Sequence, residues 1–410
     1  MMMTGYWKAL IFTGISRGRK PLNKKKLGGD SSPPFFLSMK VCIESIQTYD
    51  LAAVKAFISR SFEELHVWKR LEQAQTILLK PNLLGAHHPD KAITTHPVVV
   101  EAVIQLLQDA GKTIWLGDSP GGSTPVKAVW KATGIGQLAQ RYGVEIVNFS
   151  EGGVKHVTTA TNQFGISSYA FEADAMINLC KYKTHSLMLY TGAVKNFFGL
   201  IPGLKKSDFH RQKPKPEEFA HVISELYGAI SHRVAINILD GIWGMEGEGP
   251  SAGEPRNFGV MMASCSAAAL DSVAAPMMGF ELNQLGYVQQ ALAADGILKT
   301  EVPEEWKGFT FKHVKIKKIG LYVKMLAYSP PFIKSIFQSL YDYWPAFNDE
   351  CRRCGICVQS CPVEAMTLRD GMKQPQIDHT KCIKCMCCHE MCPYHAVYIK
   401  KTFLARFLVK

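Results

Sequence analysis

The sequence predicts an α/β core, a mostly parallel sheet with flanking helices, followed by a small cysteine-bound α+β domain. Three observations predict it. From Met39 to about residue 300, short apolar runs alternate with stretches of helical period. Strand–helix–strand order builds a parallel sheet covered on both faces. Eight of the 12 cysteines crowd into Cys351–Cys392, in two runs of one spacing. The length of 410 residues, 47% hydrophobic and 20% charged, suits two or three ordinary globular domains.

The divisions expected are a leader at 1–38, the core at 39–300, a connecting arm at 301–345, the cysteine domain at 346–400 and a tail at 401–410. The leader is basic and Gly/Pro-bearing over Ser16–Asp30, without apolar period, so disorder is expected there. Its apolar part, Ala9–Ile15, is short for a signal-peptide core. Met39 opens the more protein-like MKVCIESI and is the expected start, with a membrane-surface anchor as the alternative reading.

In the core, Lys40–Ile46 reads as a strand and Leu51–Leu65 as a helix with apolar residues three and four apart. Thr76–Leu79 is a buried strand running into Lys80-Pro-Asn82. Thr95-His96-Pro97 starts a helix, because proline suits the first helical turn. Thr113–Leu116 is the next strand, followed by the loop Gly117–Pro125, a helix over Val126–Tyr142 and a strand over Val144–Phe149. That loop, with Asp118, Ser119, Gly121 and Gly122, sits where strand-to-helix junctions offer amides to anions. It matches neither dinucleotide nor P-loop spacing, and a plain turn is the competing reading.

Ala173–Cys180 reads as a strand, and the chain then becomes polar. Lys183, His185, Lys195, Asn196, Lys206 and His210 fall within 183–210, interleaved with glycines. Cations in irregular backbone beside strand ends suggest a site for an anionic ligand, with Lys183, His185, Lys195 and His210 as proton donors. Solvated lysines are the plain alternative. Lys80, Asn82, Asp118 and Lys206 join the same candidate site.

Glu217–Ile230 reads as a helix and Val234–Leu239 as a strand ending at Asp240. Asp240, Glu246 and Glu248 lie in an expected glycine loop able to hold a metal or cap the basic site. Phe258–Ser264 is a strand and Ala267–Met278 a helix. In the arm, Lys312–Ile319 alternates as a basic-faced strand.

The cysteine runs begin at Cys351 and Cys382, 31 positions apart, and each reads C-x2-C-x2-C-x3-C-P. This is bacterial two-cluster ferredoxin spacing, in which the fourth cysteine of each run serves the other cluster. Cys351, Cys354, Cys357 and Cys392 should hold one [4Fe-4S] cluster, and Cys382, Cys385, Cys388 and Cys361 a second. The segment resembles the two-cluster ferredoxin family. Cys387 is extra: it aligns with Ile356 and reads as a buried thiol outside the ligand sets. The formal charge of +12 falls to nearer +8 if each cluster with its thiolates adds about −2.

The core resembles the domain-of-unknown-function family 362, on Lys80-Pro-Asn82, Thr95-His96-Pro97, Gly117-Asp118, Lys183-Thr-His185, Thr191–Asn196 with Gly199, His210, Asp240-Gly241, Gly249-Pro250 and Ala269–Asp271. The resemblance transfers little chemistry, because that family has no established activity.

The function expected is iron–sulfur electron transfer, with the core as a redox enzyme acting on an anionic small molecule and a redox protein as partner. An electron carrier docked on a larger reductase, or a non-redox cofactor- or cluster-binding protein, are the alternatives. Nucleic-acid binding is disfavoured for want of a recognisable motif. No apolar run reaches the ~18 residues of a membrane span. The scattered cysteines Cys42, Cys180 and Cys265 fit a reducing, cytoplasmic location.

Overall fold

The computed structural model describes residues 37–121, 125–203, 205–316 and 343–402. Most of the leader, Gly122, much of the arm and the end of the tail lie outside the described residues. The core is an eight-stranded mixed sheet. Its main path runs Cys42–Ser45, Glu254–Ser264, Val234–Glu246, Ala175–His185, Thr76–Pro81, Thr113–Leu116 and Glu145–Ile146, with Leu189–Thr191 folded back on Ala175–His185. The four pairings from Val234–Glu246 through to Glu145–Ile146 are parallel, and the two joining Glu254–Ser264 to its neighbours are antiparallel.

Two apolar cores cover the two faces. Leu51–Glu64, Pro97–Asp109, Val126–Ala132 and Ile135–Tyr142 bury Val54, Phe57, Val103, Leu107 and Trp130 on one side. Pro216–Ile230, Ala267–Met278 and Gly286–Ala294 bury Phe219, Leu226, Leu270 and Tyr287 on the other. The central strand Ala175–His185 is buried along its whole length, as a strand covered on both faces must be.

Several expected elements differ. The expected strand at Lys40–Ile46 is two: Leu37–Lys40 pairs with Ile297–Glu301, and Cys42–Ser45 enters the main sheet. The expected helix Val126–Tyr142 breaks at Gly134, whose φ of 75° ends one helix and admits the next. The polar run Lys181–His185 is regular strand rather than irregular backbone, and so is Gly241–Glu246. Both extensions are stabilised by strand pairing, Lys183 with Thr191 and Trp243 with Asn257. Lys312–Ile316 forms no strand; Arg256 donates to the Lys312 and His313 carbonyls and holds that segment instead.

The cysteine domain repeats its backbone as well as its sequence. Helices Ile356–Gln359 and Cys387–Glu390 occupy equivalent positions. Left-handed residues recur in pairs: Arg353 and Lys384 (φ 54° and 55°), Gly355 and Met386 (78° and 62°), Glu364 and His395 (52° and 53°). Tyr343–Phe347 pairs with Val397–Lys401, and Met366–Thr367 with Gln376–Ile377. Among the described residues no helix is long and apolar enough to cross a membrane.

Candidate functional site

Successive parallel strands depart in opposite directions from Thr76–Pro81: Thr113–Leu116 lies on one side and Ala175–His185 on the other. Such a switch point opens a crevice at the carboxyl ends of the strands. There the protein has a cavity of about 840 Å3, including its mouth. Asn82, Asp118, Ser119, Gly121, Lys183, Lys195, Asn196, Lys206 and His210 line it.

Side chains bring hydrogen-bonding power to this cavity. The backbone amides of Gly117, Ser119 and Gly121 already donate to the carbonyls of Leu79, Gly199 and Leu84. Lys206 Nζ ties the loop down through Ser119 Oγ and the Pro120 carbonyl, both at 3.0 Å. Behind the loop, buried Lys80 pairs with Asp118 at 2.8 Å, and Asp118 also accepts from the Leu83 amide.

An amide chain anchors the other wall. Lys183 Nζ donates to Asn82 Oδ1 at 2.8 Å and to the Ile93 carbonyl at 2.7 Å. Asn82 donates to Asn196, Asn196 to Asn178, and Asn178 to Asn237. Each side-chain carboxamide in the chain orients the one before it. The turn carrying Lys195 and Asn196 is fixed by Asp271, which accepts from the Ala193 and Val194 amides at 2.7 and 2.9 Å.

Burial shapes the electrostatics. It pushes Lys183 well below the usual lysine range, helped by repulsion from Lys195 and Lys181. Burial brings Lys206 down to about 7 and His210 to about 3. Lys195 is lowered by burial, with Glu390 and Cys387 opposing. Glu390 rises to about 7 through burial, with Lys195 and Lys183 drawing it back. A bound anion would restore charge to the lysines.

Three expected residues stand elsewhere. Lys80 lies beneath the cavity behind Asp118. His185 faces Glu390 at 3.4 Å. Asp240 is removed from the cavity: Lys181 Nζ and Tyr49 donate to it at 2.8 Å and the His96 amide at 2.9 Å. Glu246 accepts from Arg256 at 2.9 Å and from the Lys315 amide at 3.0 Å. The expected glycine loop is thus strand as far as Glu246, with Asp240 and Glu246 engaged, and remains a turn from Gly247 to Pro250.

The cysteine domain closes the cavity: Ser360, Cys387, Glu390 and Met391 complete its lining. It is docked by Ser251 Oγ donating to the Glu390 carbonyl at 2.9 Å and by His389 Nε2 against the Glu248 carbonyl at 3.3 Å. Gly121 lies so close that a Cβ there would meet Met391 Cε at 2.5 Å.

Within that domain, two small further hollows are lined by separate cysteine sets. One set is Cys351, Cys354, Cys357 and Cys392; the other is Cys361, Cys382, Cys385 and Cys388, with Cys387 beside them. Among the described residues no three His, Cys, Asp or Glu side chains close on a single-ion position. Ala365 and Ala396 amides donate to Cys361 and Cys392 sulfurs at 3.2 and 3.3 Å, and such donors favour a charged, metal-ligating sulfur. The residues fit a cubane.

Residues 77–276 match the family described as a domain of unknown function, DUF362, and residues 350–396 a 4Fe-4S dicluster domain. Thylakoid-associated protein sll1697 of Synechocystis sp. is 35% identical over 229 residues, 55% of this chain and 70% of the relative. The chain belongs to the DUF362 family. Its 4Fe-4S domain supports at least one cluster and iron–sulfur electron transfer.

In this DUF362 protein, several residues that line or support the cavity carried no signal in the sequence. Asn178 and Asn237 sit inside apolar strands and look like isolated polar residues there. Ser207 is ordinary in composition. Glu390 and Met391 arrive from far along the chain, where the cysteine spacing draws all notice.

Proposed function

We propose that this protein is an iron–sulfur oxidoreductase that uses two [4Fe-4S] clusters to reduce a small anionic ligand held in the switch-point cavity. The observation that carries this reading is one helix with two duties. In Cys387–Glu390, Cys388 belongs to the second cysteine set, while Cys387 and Glu390 line the basic cavity. Electron transfer between them would need no encounter.

Cys351, Cys354, Cys357 and Cys392 hold one cluster in this reading, and Cys382, Cys385, Cys388 and Cys361 the other. When bound, the clusters supply electrons singly. Lys195 and Lys206 attract the ligand's negative charge, and Lys183, held by Asn82, offers a proton beside it. Asp118, Ser119, Gly121 and Asn196 shape the walls, and His210, neutral and stacked on Phe219 at 4.2 Å, closes the far side. Cys354 is exposed whereas Cys385 and Cys388 are buried. This supports entry of electrons at the first set, from a partner redox protein.

The Synechocystis relative is named for thylakoid association. For this basic chain we take that as support for a membrane-peripheral position on a cytoplasm-facing surface. Low-salt membranes should retain the protein and high salt release it.

The test is native mass spectrometry of protein purified without oxygen. Two cluster masses plus a dissociable ligand, lost in Lys195→Ala with Lys206→Ala, are expected. Iron for a single cluster, or ligand retention in that double variant, would refute the reading.

A further inference from the structure

The hydrogen-bonding groups on the wall of the switch-point cavity are one-sided. Thr191 Oγ1 and Ser360 Oγ have no hydrogen-bond partner among the described residues, and each residue is only 3% exposed. His210 Nδ1 also lacks a partner, in a residue 7% exposed. All three residues line the cavity. Buried polar groups are ordinarily paired, so a ligand is the natural source of the missing partners. Thr191 and His210 belong to the core and Ser360 to the cysteine domain. A ligand meeting them is held from both sides.

The engaged groups of the lining have used their acceptors and kept protons. Ser119 Oγ accepts from the Gly203 amide and from Lys206 Nζ, both at 3.0 Å. A hydroxyl with both lone pairs taken still has its own proton to donate. Asn82 and Asn196 each accept through the carboxamide oxygen and give one N–H along the amide chain, which leaves each a second N–H. Lys195 Nζ makes no hydrogen bond or ion pair with the described residues. Protonated Lys183 holds two acceptors, Asn82 Oδ1 and the Ile93 carbonyl, and has a third N–H. The carboxyl groups are otherwise directed. Asp118 takes Lys80 and the Leu83 amide, and Glu390 faces His185 at 3.4 Å.

This surplus of donors selects the ligand. A carboxylate has two oxygens with about four acceptor sites, fewer than these lysines, carboxamides and hydroxyls can fill. A phosphoryl group has three terminal acceptor oxygens and more negative charge. The rest of the wall is largely apolar, with Leu83, Leu84, Phe198, Pro250 and Met391. A cavity of about 840 Å3, mouth included, has room for more than a bare anion. We propose that the cavity takes a small organic phosphate, with its phosphoryl group on the donors of both domains and its carbon skeleton on the apolar wall. This names the class of the anionic ligand in the reading above and rests on that reading.

The residues then divide their work. Lys195 and Lys183, close enough to repel each other, carry the charge that the phosphoryl group neutralises. Lys206 adds charge rather than a donor, because Ser119 and Pro120 already take its protons. Thr191 and Ser119 donate from the core. Ser360 donates from the cysteine domain, one residue before Cys361 of the second set. The phosphoryl group is a handle: no bond to it is made or broken, and it fixes the carbon skeleton beside that set.

The experiment uses the oxidised full-length holoprotein, prepared without oxygen and with its iron counted. Isothermal titration calorimetry compares phenyl phosphate, inorganic phosphate, benzoate and phthalate as probes. Phenyl phosphate should bind at least about tenfold more tightly than each of the others. Ser360→Ala and Thr191→Val should each weaken phenyl phosphate by about tenfold, the scale of one hydrogen bond to a charged group, and benzoate by less. Ser360→Thr, which keeps the hydroxyl, should keep the affinity. If Ser360→Ala loses iron, Thr191→Val, far from the cysteine runs in sequence, decides alone. Benzoate, phthalate or inorganic phosphate binding as tightly as phenyl phosphate overturns the organic-phosphate assignment. So does phenyl phosphate binding that is indifferent to the loss of these hydroxyls. Iron-loaded protein that binds none of the probes would instead overturn the anionic-ligand reading beneath it.

Discussion

His185 Nε2 and Glu390 Oε1 meet at 3.4 Å, joining the central strand of the core to the helix of the cysteine domain. His185 Nδ1 accepts from the Leu187 and Met188 amides at 3.1 and 3.2 Å, so the neutral ring carries its proton on the nitrogen facing Glu390. Glu390→Gln should keep the fold and the iron. It should loosen docking slightly, because a neutral carboxamide replaces the carboxylate that faces the ring. Hydrogen exchange in Cys387–Met391 would register the change, and unchanged protection would show the contact to be incidental.

The crossed cysteine sets give a sharper test. Cys361→Ala lies in the first run yet should disturb the set of Cys382, Cys385 and Cys388. About half the iron should be lost, with the surviving signal matching that of Cys385→Ala rather than Cys354→Ala. A match to Cys354→Ala would mean each run serves its own cluster.

Lys206 makes anion binding depend on pH. Its value is brought down to about 7 by burial, so its positive charge fades as pH rises through that value. Affinity for an anionic ligand should weaken over the same range, and Lys206→Met should flatten the profile. The stability term has the opposite sign. Between about 7 and the ordinary lysine value the unfolded chain binds more protons, so this residue's contribution to stability rises with pH.

Asp271 is raised to about 7, chiefly by burial. Its folded form holds the proton where the unfolded form has lost it, so its stability contribution falls as pH climbs from about 4 to about 7. Asp271→Ala should destabilise by about 1–3 kcal/mol, because the Ala193 and Val194 amides lose their acceptor. Asp271→Asn should cost less and remove the pH slope. Urea midpoints at pH 5 and pH 8 would measure both.

Gly199 admits the buried ion pair. A Cβ there would stand 2.2 Å from Asp118 Oδ1 and 2.6 Å from Lys80 Nζ. Gly199→Ala should therefore cost about 3 kcal/mol by forcing that pair apart. Thermal unfolding decides it; an unchanged midpoint would mean the wall yields freely.

Local rules served well where local forces rule. Thr113–Leu116 and Ala267–Met278 have the boundaries expected from pattern, and His96 caps the helix begun at Pro97. The cysteine spacing is legible because it is written at fixed offsets, and the two cysteine-lined hollows draw on the expected residues. Pairing partners are not local, so the strand character of Lys181–His185 and Gly241–Glu246 was hidden behind charge and glycine. Asp240 looked like a site residue because nothing nearby in sequence announces Lys181 and Tyr49 as its partners. Met386 takes the left-handed position that its twin gives to Gly355, which composition alone would never suggest.

Gly121 pressed against Met391 has a consequence for timing. The last wall of the cavity, Glu390 and Met391, lies between Cys388 and Cys392, one from each proposed ligand set, so bound clusters would fix its path. A newly made chain would acquire that wall only on receiving its iron. Maturation would then order itself: metal first, ligand second, so that no ligand is retained by a chain unable to reduce it. Iron-free protein should accordingly bind the cavity's ligand more weakly than loaded protein, and equal affinity would separate the two events.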